Sequence, residues 1–473
     1  MFKFNINKYI CSLLLIGFIT SSCTPKNDPP QSIPPAPRQD EPAIESISPY
    51  DDSCENFISV IDQSKYSYGW VESPENPLAS NSPKLKIFYI KPLKMTDNVI
   101  AFYNGGPGSS VHSSFALLET YLIHKGLQDK ISFIYIDQRG NGCSSGYPVE
   151  KFQNSPEATI RRLTWYGSTG IVYDSEAVRK KILGDQPWKV FGQSYGAYIV
   201  HRYISLFPQS LKAAYAHANA ISDDSLDRFT YRIESQIRMS EEYFKTHPDD
   251  KLPYVTLKRF LSANKDYCVE TAVYKQKYCG LEIAEYLNYS LGFKDSWSYL
   301  NFLLSKWVQN GIVIREEILN ELNANGDEPQ DSRAIAFAVI GYFDRNIAGG
   351  SKDNCLAVLN RLKAQNVFEA DTSIHECLGS VQYSYTNESR EQVAAVLGYQ
   401  QDLMSYTKLK ENLKLMPLRS FYLYSGALDT FVPPKTFDKE LSFISDLINY
   451  THFTNSGHEG FYSEDQVWQD LVK

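Results

Sequence analysis

The sequence "WKVFGQSYGAYIVHRYISLFP", residues 188–208, combines a strand, a sharp turn and a helix. Strand-forming residues lead into a Gly-x-Ser-x-Gly pentapeptide, in which Ser194 lies between Gly192 and Gly196, and a helical pattern follows. This setting is typical of a nucleophile elbow, where small neighbours permit a sharp turn and the serine hydroxyl projects beyond the end of the strand. The alternative is a chance pentapeptide in a turn. Because a strand and a helix flank the turn, we predict that Ser194 is a nucleophile.

The surrounding sequence alternates short apolar segments with helical stretches. Such alternation indicates a parallel sheet covered by helices on both faces, hence an α/β fold. Residues 222–415 differ, because they are helical in pattern and rich in Tyr, Glu and Lys. We therefore predict a core formed by residues 51–221 and 416–473, interrupted by a mostly helical insertion. The segments read as strands are 85–91, 98–104, 132–137, 188–192, 211–217, 419–425 and 448–454.

A nucleophilic serine needs a base, and the base needs an orienting acid. Asp429 follows the predicted strand 419–425, and His458 follows the strand 448–454. The order Ser, Asp, His and the positions just beyond strands suit a triad at the carboxyl edge of the sheet. We therefore predict Asp429 and His458 as the partners of Ser194. The rivals are less well placed along the chain: His201, His375, His452 and Asp446.

Three motifs together resemble the proline iminopeptidase family of α/β-hydrolases. "NGGPG" (104–108) is similar to the family's His-Gly-Gly-Pro-Gly, "DQRGNGCS" (137–144) to its Asp-Gln-Arg-Gly-x-Gly-x-Ser, and "GQSYGA" (192–197) to its elbow. The resemblance implies an α/β-hydrolase fold with a mostly helical cap inserted before the last strands. It also implies a serine exopeptidase that removes proline, similar residues, or di- or tripeptides from peptides with a free N-terminus.

The mechanism of such enzymes needs two amide donors for the oxyanion of the acyl-transfer intermediate. One donor is expected to be the backbone N–H of Tyr195, the residue after the nucleophile. The second is expected from the first glycine loop, at Gly105 with Gly106 as the alternative. Neither a metal nor an organic cofactor is expected, and no nucleic-acid partner, since the net charge is -8 and the pI near 5.6.

Two other hydrolase classes remain as alternatives. Serine carboxypeptidases carry Asn-Gly-Gly-Pro-Gly followed by serines, which matches Asn104 and its successors better than the iminopeptidase motif does. Against them, Gln193 replaces the glutamate that helps carboxypeptidases recognise the substrate carboxylate, and Arg139 replaces their usual proline. Esterases share the same architecture and form the second alternative. The aminopeptidase interpretation is favoured by motif agreement.

The first 23 residues have the pattern of an export signal. Lys3 and Lys8 precede an apolar run that is short for a transmembrane helix, and small residues then lead to Cys23. This resembles a bacterial lipoprotein signal with lipidation at Cys23; the alternative is an ordinary cleaved signal peptide. The proline-rich residues 24–50 are expected to form an extended tether. We expect location in the bacterial cell envelope or secretion, with membrane contact only through the lipid.

The remaining cysteines fit export to an oxidising compartment. An even set of six suggests disulfides, although six cysteines allow 15 full pairings. Neighbouring cysteines suggest Cys268 with Cys279 and Cys355 with Cys377, which leaves Cys54 with Cys143. The alternative is free buried thiols.

Overall fold

The computed structural model describes residues 52–106, 108–148, 161–218, 225–264, 267–270, 277–279, 297–310, 404–458 and 460–473, with a few isolated positions between 283 and 364. The predicted signal, the lipidation site Cys23, the tether 24–50 and the pair Cys355 and Cys377 lie outside the described residues. Within the described ranges, no helix has both the length and the apolar character needed to cross a bilayer.

An eight-stranded sheet forms the centre of the molecule, with the strand order β1-β2-β4-β3-β5-β6-β9-β10. The two pairings β1 with β2 and β2 with β4 are antiparallel, and the others are parallel. The strands are β1 (Tyr66–Pro74), β2 (Lys84–Pro92), β3 (Val99–Tyr103), β4 (Ser132–Ile136), β5 (Trp188–Gln193), β6 (Leu211–His217), β9 (Phe421–Gly426) and β10 (Asn449–Phe453). All seven strand segments predicted from the sequence are present, and β1 adds one that the sequence analysis did not identify.

Helices cover both faces of this sheet. The described α-helices are α1 (Asp52–Val60), α2 (His112–His124), α3 (Ser168–Leu183), α4 (Tyr195–Leu206), α5 (Ser225–Thr246), α6 (Lys251–Ala263), α7 (Trp297–Asn310), α8 (Tyr406–Leu413), α9 (Asp438–Ile444), α10 (Gly460–Ser463) and α11 (Asp465–Val472). Short 3₁₀ turns add Thr164–Tyr166, Pro208–Ser210, Pro248–Asp250 and Pro434–Phe437.

The central strands are buried on both faces, which explains their continuous apolar sequences. Every residue of β3, β4 and β5 is buried. One face packs against α3, α4 and α8, and the other packs against α1, α2 and α11. Parallel strands buried in this way require a helical layer on each side. The arrangement confirms the predicted α/β-hydrolase fold.

The helical insertion lies between β6 and β9. Its described part includes α5, α6 and α7, which share a core of their own built from residues such as Met239, Tyr243, Tyr254 and Leu300. Leu428, from the loop after β9, also packs into this core. The helix α8 belongs to the predicted insertion by sequence, but its buried residues Leu409 and Leu413 join the core of the sheet. We refer to α5, α6 and α7 as the cap.

Two of the three suggested disulfides fall on described residues. Cys54 on α1 is joined to Cys143, with 5.2 Å between their Cα atoms, so the bond ties the first helix to the loop after β4. In the cap, β7 (Cys268–Glu270) and β8 (Lys277–Cys279) pair antiparallel, with the backbone of Cys268 directly opposite Cys279. Cys268 is disulfide-bonded.

Candidate active site

Ser194 lies at the sharp junction between β5 and α4. Its backbone has φ 55° and ψ -120°, outside the regions that non-glycine residues prefer. The Ser194 amide donates to the carbonyl of His217 on β6 at 2.9 Å, and the Ser194 carbonyl accepts from Ala197 in the first turn of α4. Strained conformations of this kind persist where the surroundings impose them, often at functional sites. The predicted nucleophile therefore occupies an elbow at the carboxyl end of β5.

The two glycines of the pentapeptide make this turn possible by close approach. A Cβ on Gly192 would lie 2.1 Å from the Gly196 carbonyl oxygen, and a Cβ on Gly196 would lie 2.1 Å from that of Tyr103. Real Cβ atoms do not come this near to backbone oxygen, so any side chain would push β5, α4 and β3 apart. The elbow sequence is thus required by packing, as the sequence pattern predicts.

Asp429 and His458 meet at the same edge of the sheet. Asp429 follows β9 and is fully buried, and its Oδ2 lies 2.8 Å from Nδ1 of the largely buried His458. The other carboxylate oxygen, Oδ1, accepts from the amides of Phe431 and Val432, each at 2.8 Å. These donors hold the carboxylate in one orientation towards the imidazole. The ring of Phe431 also packs 5.0 Å from the His458 ring.

The loop of His458 is joined directly to the elbow. The side chain of Gln193, the residue before Ser194, donates from Nε2 to the His458 carbonyl at 2.9 Å. A Cβ on Gly426, at the end of β9, would lie 2.3 Å from the carbonyl oxygen of Ser456, so these loops also approach closely. The structure therefore brings the elbow, the predicted base and the predicted acid to one cluster of strand ends.

The loop 104–111 is closed by the side chain of Asn104. Its Nδ2 donates to the Ser110 carbonyl at 2.6 Å, and its Oδ1 accepts from the Gly105 amide at 3.1 Å. Gly105 lies against the nucleophile, since a Cβ placed on it would be 3.2 Å from the Cβ of Ser194. Gly106 has φ 107°, a conformation that favours glycine. Asn104 thus serves to shape the glycine loop beside Ser194.

The motif that begins at Asp137 supports this glycine loop. The buried Asp137 carboxylate accepts from the Val111 amide at 2.7 Å and from the Cys143 amide at 2.8 Å. Gln138 donates from Nε2 to the Asn104 carbonyl at 3.0 Å. Burial raises the pKa of Asp137 to about 7, although the two amide donors act in the opposite direction. The motif therefore acts as a frame for residues 104–111.

Arg139 anchors the same motif to the opposite side of the core. Its fully buried guanidinium forms a two-pronged ion pair with Asp174 on α3, at 2.7 and 2.6 Å. It also donates to the backbone carbonyls of Glu75 and Trp165. Bidentate pairs of this type fix geometry as well as charge. Arg139 thus anchors the frame to α3 and to the backbone at Glu75 and Trp165.

One cluster has the composition of a metal site. Ligand atoms of His112, Asp137 and Cys143 lie within 4.8 Å of one another. The Cys143 sulfur is already bonded to Cys54, and the Asp137 oxygens accept backbone amides. His112 stacks on Phe57 at 3.8 Å. A disulfide sulfur cannot act as a thiolate ligand, and the Asp137 carboxylate already holds two backbone amides, so we do not assign a metal to this cluster.

The rival histidines lie in other settings where they are described. His201 on α4 is fully buried and bonds Glu440 at 2.7 Å, while His452 on β10 bonds Ser425 at 2.9 Å. His375 lies outside the described residues. Asp446 is exposed in the turn after α9. His201 and His452 thus have bonding partners of their own, and Asp446 lies in a turn and not in the helical run predicted for it.

Sequence reasoning missed His217, which ends β6 next to the site. Its side chain is fully buried, and neither ring nitrogen has a hydrogen-bond partner among the described residues. Burial, together with the nearby charge of His458, lowers the pKa of His217 to about 3, although the Asp429 carboxylate acts in the opposite direction. Only its position at a strand end beside Gln193 could have drawn attention to it.

The buried His217 is expected to make the free energy of unfolding depend on pH, and a single substitution should remove this contribution. Its folded pKa of about 3 is below the ordinary value of 6.5, so between these values the unfolded chain binds a proton that the native protein does not. The free energy of unfolding therefore falls as pH drops from 6.5, by about 1.4 kcal/mol per pH unit from this group. In His217→Leu, urea unfolding between pH 7 and pH 4.5 should show a correspondingly shallower decline.

The matched control for this experiment is His124→Gln, because His124 is exposed at the end of α2. This variant should keep the wild-type decline. Equal declines in His217→Leu and in the wild type would contradict the assignment of a neutral buried imidazole.

The comparisons with known proteins agree with this fold. A family model described as the alpha/beta hydrolase fold matches residues 98–236, which include the glycine loop and the elbow. A proline iminopeptidase of Aeromonas sobria is 30% identical over 138 residues, or 28% of this chain and 32% of that protein. A proline iminopeptidase of Aspergillus aculeatus is 25% identical over 173 residues, or 35% of this chain and 38% of that protein. The chain thus matches only about a third of the length of these curated relatives.

Among solved structures, the crystal structure of a proline iminopeptidase from Mycobacterium smegmatis aligns with 86% of this chain and 96% of its own. The TM-score is 0.38 and the sequence identity is 14%.

Proposed function

We propose that this protein is a serine exopeptidase that releases N-terminal residues from peptides through an acyl-enzyme. The observation that carries the proposal is the 2.8 Å bond between His458 Nδ1 and Asp429 Oδ2, at the strand ends beside the strained Ser194. A serine at an elbow, an imidazole and a buried carboxylate are the three groups that nucleophilic acyl transfer needs. The likeness to two proline iminopeptidases supports the choice of substrate class.

In this proposal His458 takes the proton from Ser194 as the serine oxygen attacks the carbonyl carbon of the scissile bond. Asp429 holds the Nδ1–H tautomer and stabilises the imidazolium that forms. The imidazolium then donates its proton to the leaving amine, so the C–N bond breaks and the acyl group stays on Ser194. Water, deprotonated by His458, attacks the acyl-enzyme and releases the acid product.

The oxyanion of each tetrahedral intermediate needs amide donors close to Ser194. We assign the Tyr195 N–H at the start of α4 as one donor, with Gly105 or Gly106 as the other. Gly105 already donates to Asn104 Oδ1, so it would exchange that bond for one to the oxyanion. The frame built by Asn104, Gln138 and Asp137 holds this loop in place before substrate arrives. Preorganised donors of this kind are worth about 2.7–4 kcal/mol each in the transition state.

The carboxypeptidase alternative depends on Asn104 and on the residue before the nucleophile. The amide of Gln193 donates to the His458 backbone, and the side chain of Asn104 closes its own loop. Both side chains are therefore engaged in holding the site together, which disfavours their use in binding a substrate carboxylate. We expect the residues that bind the free N-terminus of the peptide to come from the cap.

A substrate panel tests the proposal. It compares prolyl-, alanyl- and tripeptidyl-p-nitroanilides with N-acetylated counterparts, with peptides that offer a free C-terminus, and with p-nitrophenyl acetate. We expect hydrolysis of substrates with a free α-amino group and a loss of at least tenfold in kcat/KM on N-acetylation. Dependence on a free carboxylate would replace the proposal with a carboxypeptidase. Turnover of the ester alone would replace it with an esterase.

A further inference from the structure

The cap helix α5 contacts the loop that carries the predicted catalytic acid. We call residues 427–432, which follow β9, the acid loop. The buried hydroxyl of Ser235 on α5 donates to the Asp429 carbonyl at 2.6 Å. Arg238, one turn further along α5, donates to the Ala427 carbonyl and, at 3.2 Å, to the Ser235 hydroxyl. Two carbonyls of the acid loop are thus bonded to one face of the cap helix.

Apolar and ionic contacts strengthen the same junction. Leu428 is buried in the core of the cap, with Met239 and Tyr243 of α5. Beyond the acid loop, Lys435 pairs with Glu234 of α5 at 2.8 Å. The cap helix and the acid loop therefore share hydrogen bonds, apolar packing and an ion pair.

The acid loop is also bonded on its other side, so it connects the cap to the catalytic pair. The Leu428 amide donates to the Ser456 carbonyl at 3.0 Å, two residues before His458. The Asp429 carboxylate is held by the amides of Phe431 and Val432 within the loop. Because the loop is short and is bonded to α5 on one side and to Ser456 on the other, we expect a displacement of α5 to move the Asp429 backbone and change its approach to His458.

We propose that Ser235 is a positioning residue for Asp429, through which the cap helix sets the geometry of the Asp429–His458 pair. This inference rests on the proposed function. It makes the cap part of the catalytic apparatus as well as a cover over the substrate. A movement of the cap on substrate binding would then change the position of Asp429 relative to His458.

The test measures the rate of Ser194 modification by a fluorophosphonate as a function of pH, in the full chain. Loss of one buried hydrogen bond in Ser235→Ala should lower the second-order rate constant about three- to tenfold. A displaced Asp429 stabilises the His458 imidazolium less, so the acidic limb of the pH–rate profile, where the rate falls as pH drops, should move to lower pH. The titratable neighbour on β6, His217, is uncharged across the range from pH 5 to 9 and leaves this limb unaffected.

Three variants make the test specific. Ser235→Thr keeps the hydroxyl and should restore the rate and the limb. Ser240→Ala removes another buried hydroxyl of α5, which donates to the Gln236 carbonyl within the helix, and should match the wild type. Arg238→Met removes the exposed partner of Ser235 and should lower the second-order rate constant. Melting temperatures of all variants report whether the fold is intact.

The outcomes separate the two proposals. If the wild type reacts at Ser194 but Ser235→Ala keeps the same rate and the same acidic limb, the positioning role is overturned and the proposed function stands. If the wild type does not react at Ser194, the proposed function fails, and this inference fails with it.

Discussion

Ser194→Ala should lower kcat for the best substrate in the panel by about 10⁶-fold, leaving only the residual rate that substrate binding and the oxyanion donors supply. The variant removes the only atom that the mechanism uses to form the acyl-enzyme, while the elbow keeps its two glycines and its bond from residue 194 to the His217 carbonyl. Alanine and serine both carry a Cβ and meet the same strain at a φ of 55°. The substitution therefore adds no backbone strain, and the fold should be unchanged. Steady-state rates and a thermal melt measure both effects.

Ser425→Ala is the matched control for this variant. Ser425 is a fully buried serine whose hydroxyl bonds a histidine, His452, at 2.9 Å. It lies within β9 and not at an elbow, so its loss should leave most of the activity. The roles assigned to Ser194 would be contradicted by activity that survives in Ser194→Ala and disappears in Ser425→Ala.

Asp429→Asn should lower kcat by about 10⁴-fold with little change in the melting temperature. The asparagine oxygen can still accept from the amides of Phe431 and Val432, so the acid loop keeps its shape. Its NH₂ group then faces His458 Nδ1 and forces that nitrogen to accept, which places the proton on Nε2. The imidazole can no longer take a proton from the serine in this tautomer.

Asp446→Asn provides the control, because Asp446 was the rival acid in the sequence and is exposed after α9. This variant should retain full activity. A loss below tenfold in Asp429→Asn, or a large loss in Asp446→Asn, would show that another acid orients the base.

Much of the fold could be predicted because local signals and tertiary structure agree. Central strands such as β3 and β5 are buried on both faces, so their sequences are continuously apolar and easy to recognise. The elbow was predictable for a different reason, since Gly192 and Gly196 are required by contacts within one short segment. Asp429 and His458 follow strands, and the carboxyl ends of parallel strands meet at one edge.

The remaining features depend on contacts between distant segments. Nothing local marks His217 as a neutral imidazole, because its burial results from packing of β6 against Phe461 near the end of the chain. The bond from Ser235 to the Asp429 carbonyl joins residues 194 positions apart. The role of Asn104 was also hidden, since its amide closes a loop whose shape the sequence alone did not give.

The most direct test of the central claim is mass spectrometry of the protein after reaction with a fluorophosphonate. The account predicts one phosphonyl group per chain, mapped by proteolysis to the peptide that contains Ser194, and no labelling of Ser194→Ala. Labelling at another residue, or none under conditions in which the wild type hydrolyses its best substrate, would contradict the assignment of Ser194 as the nucleophile.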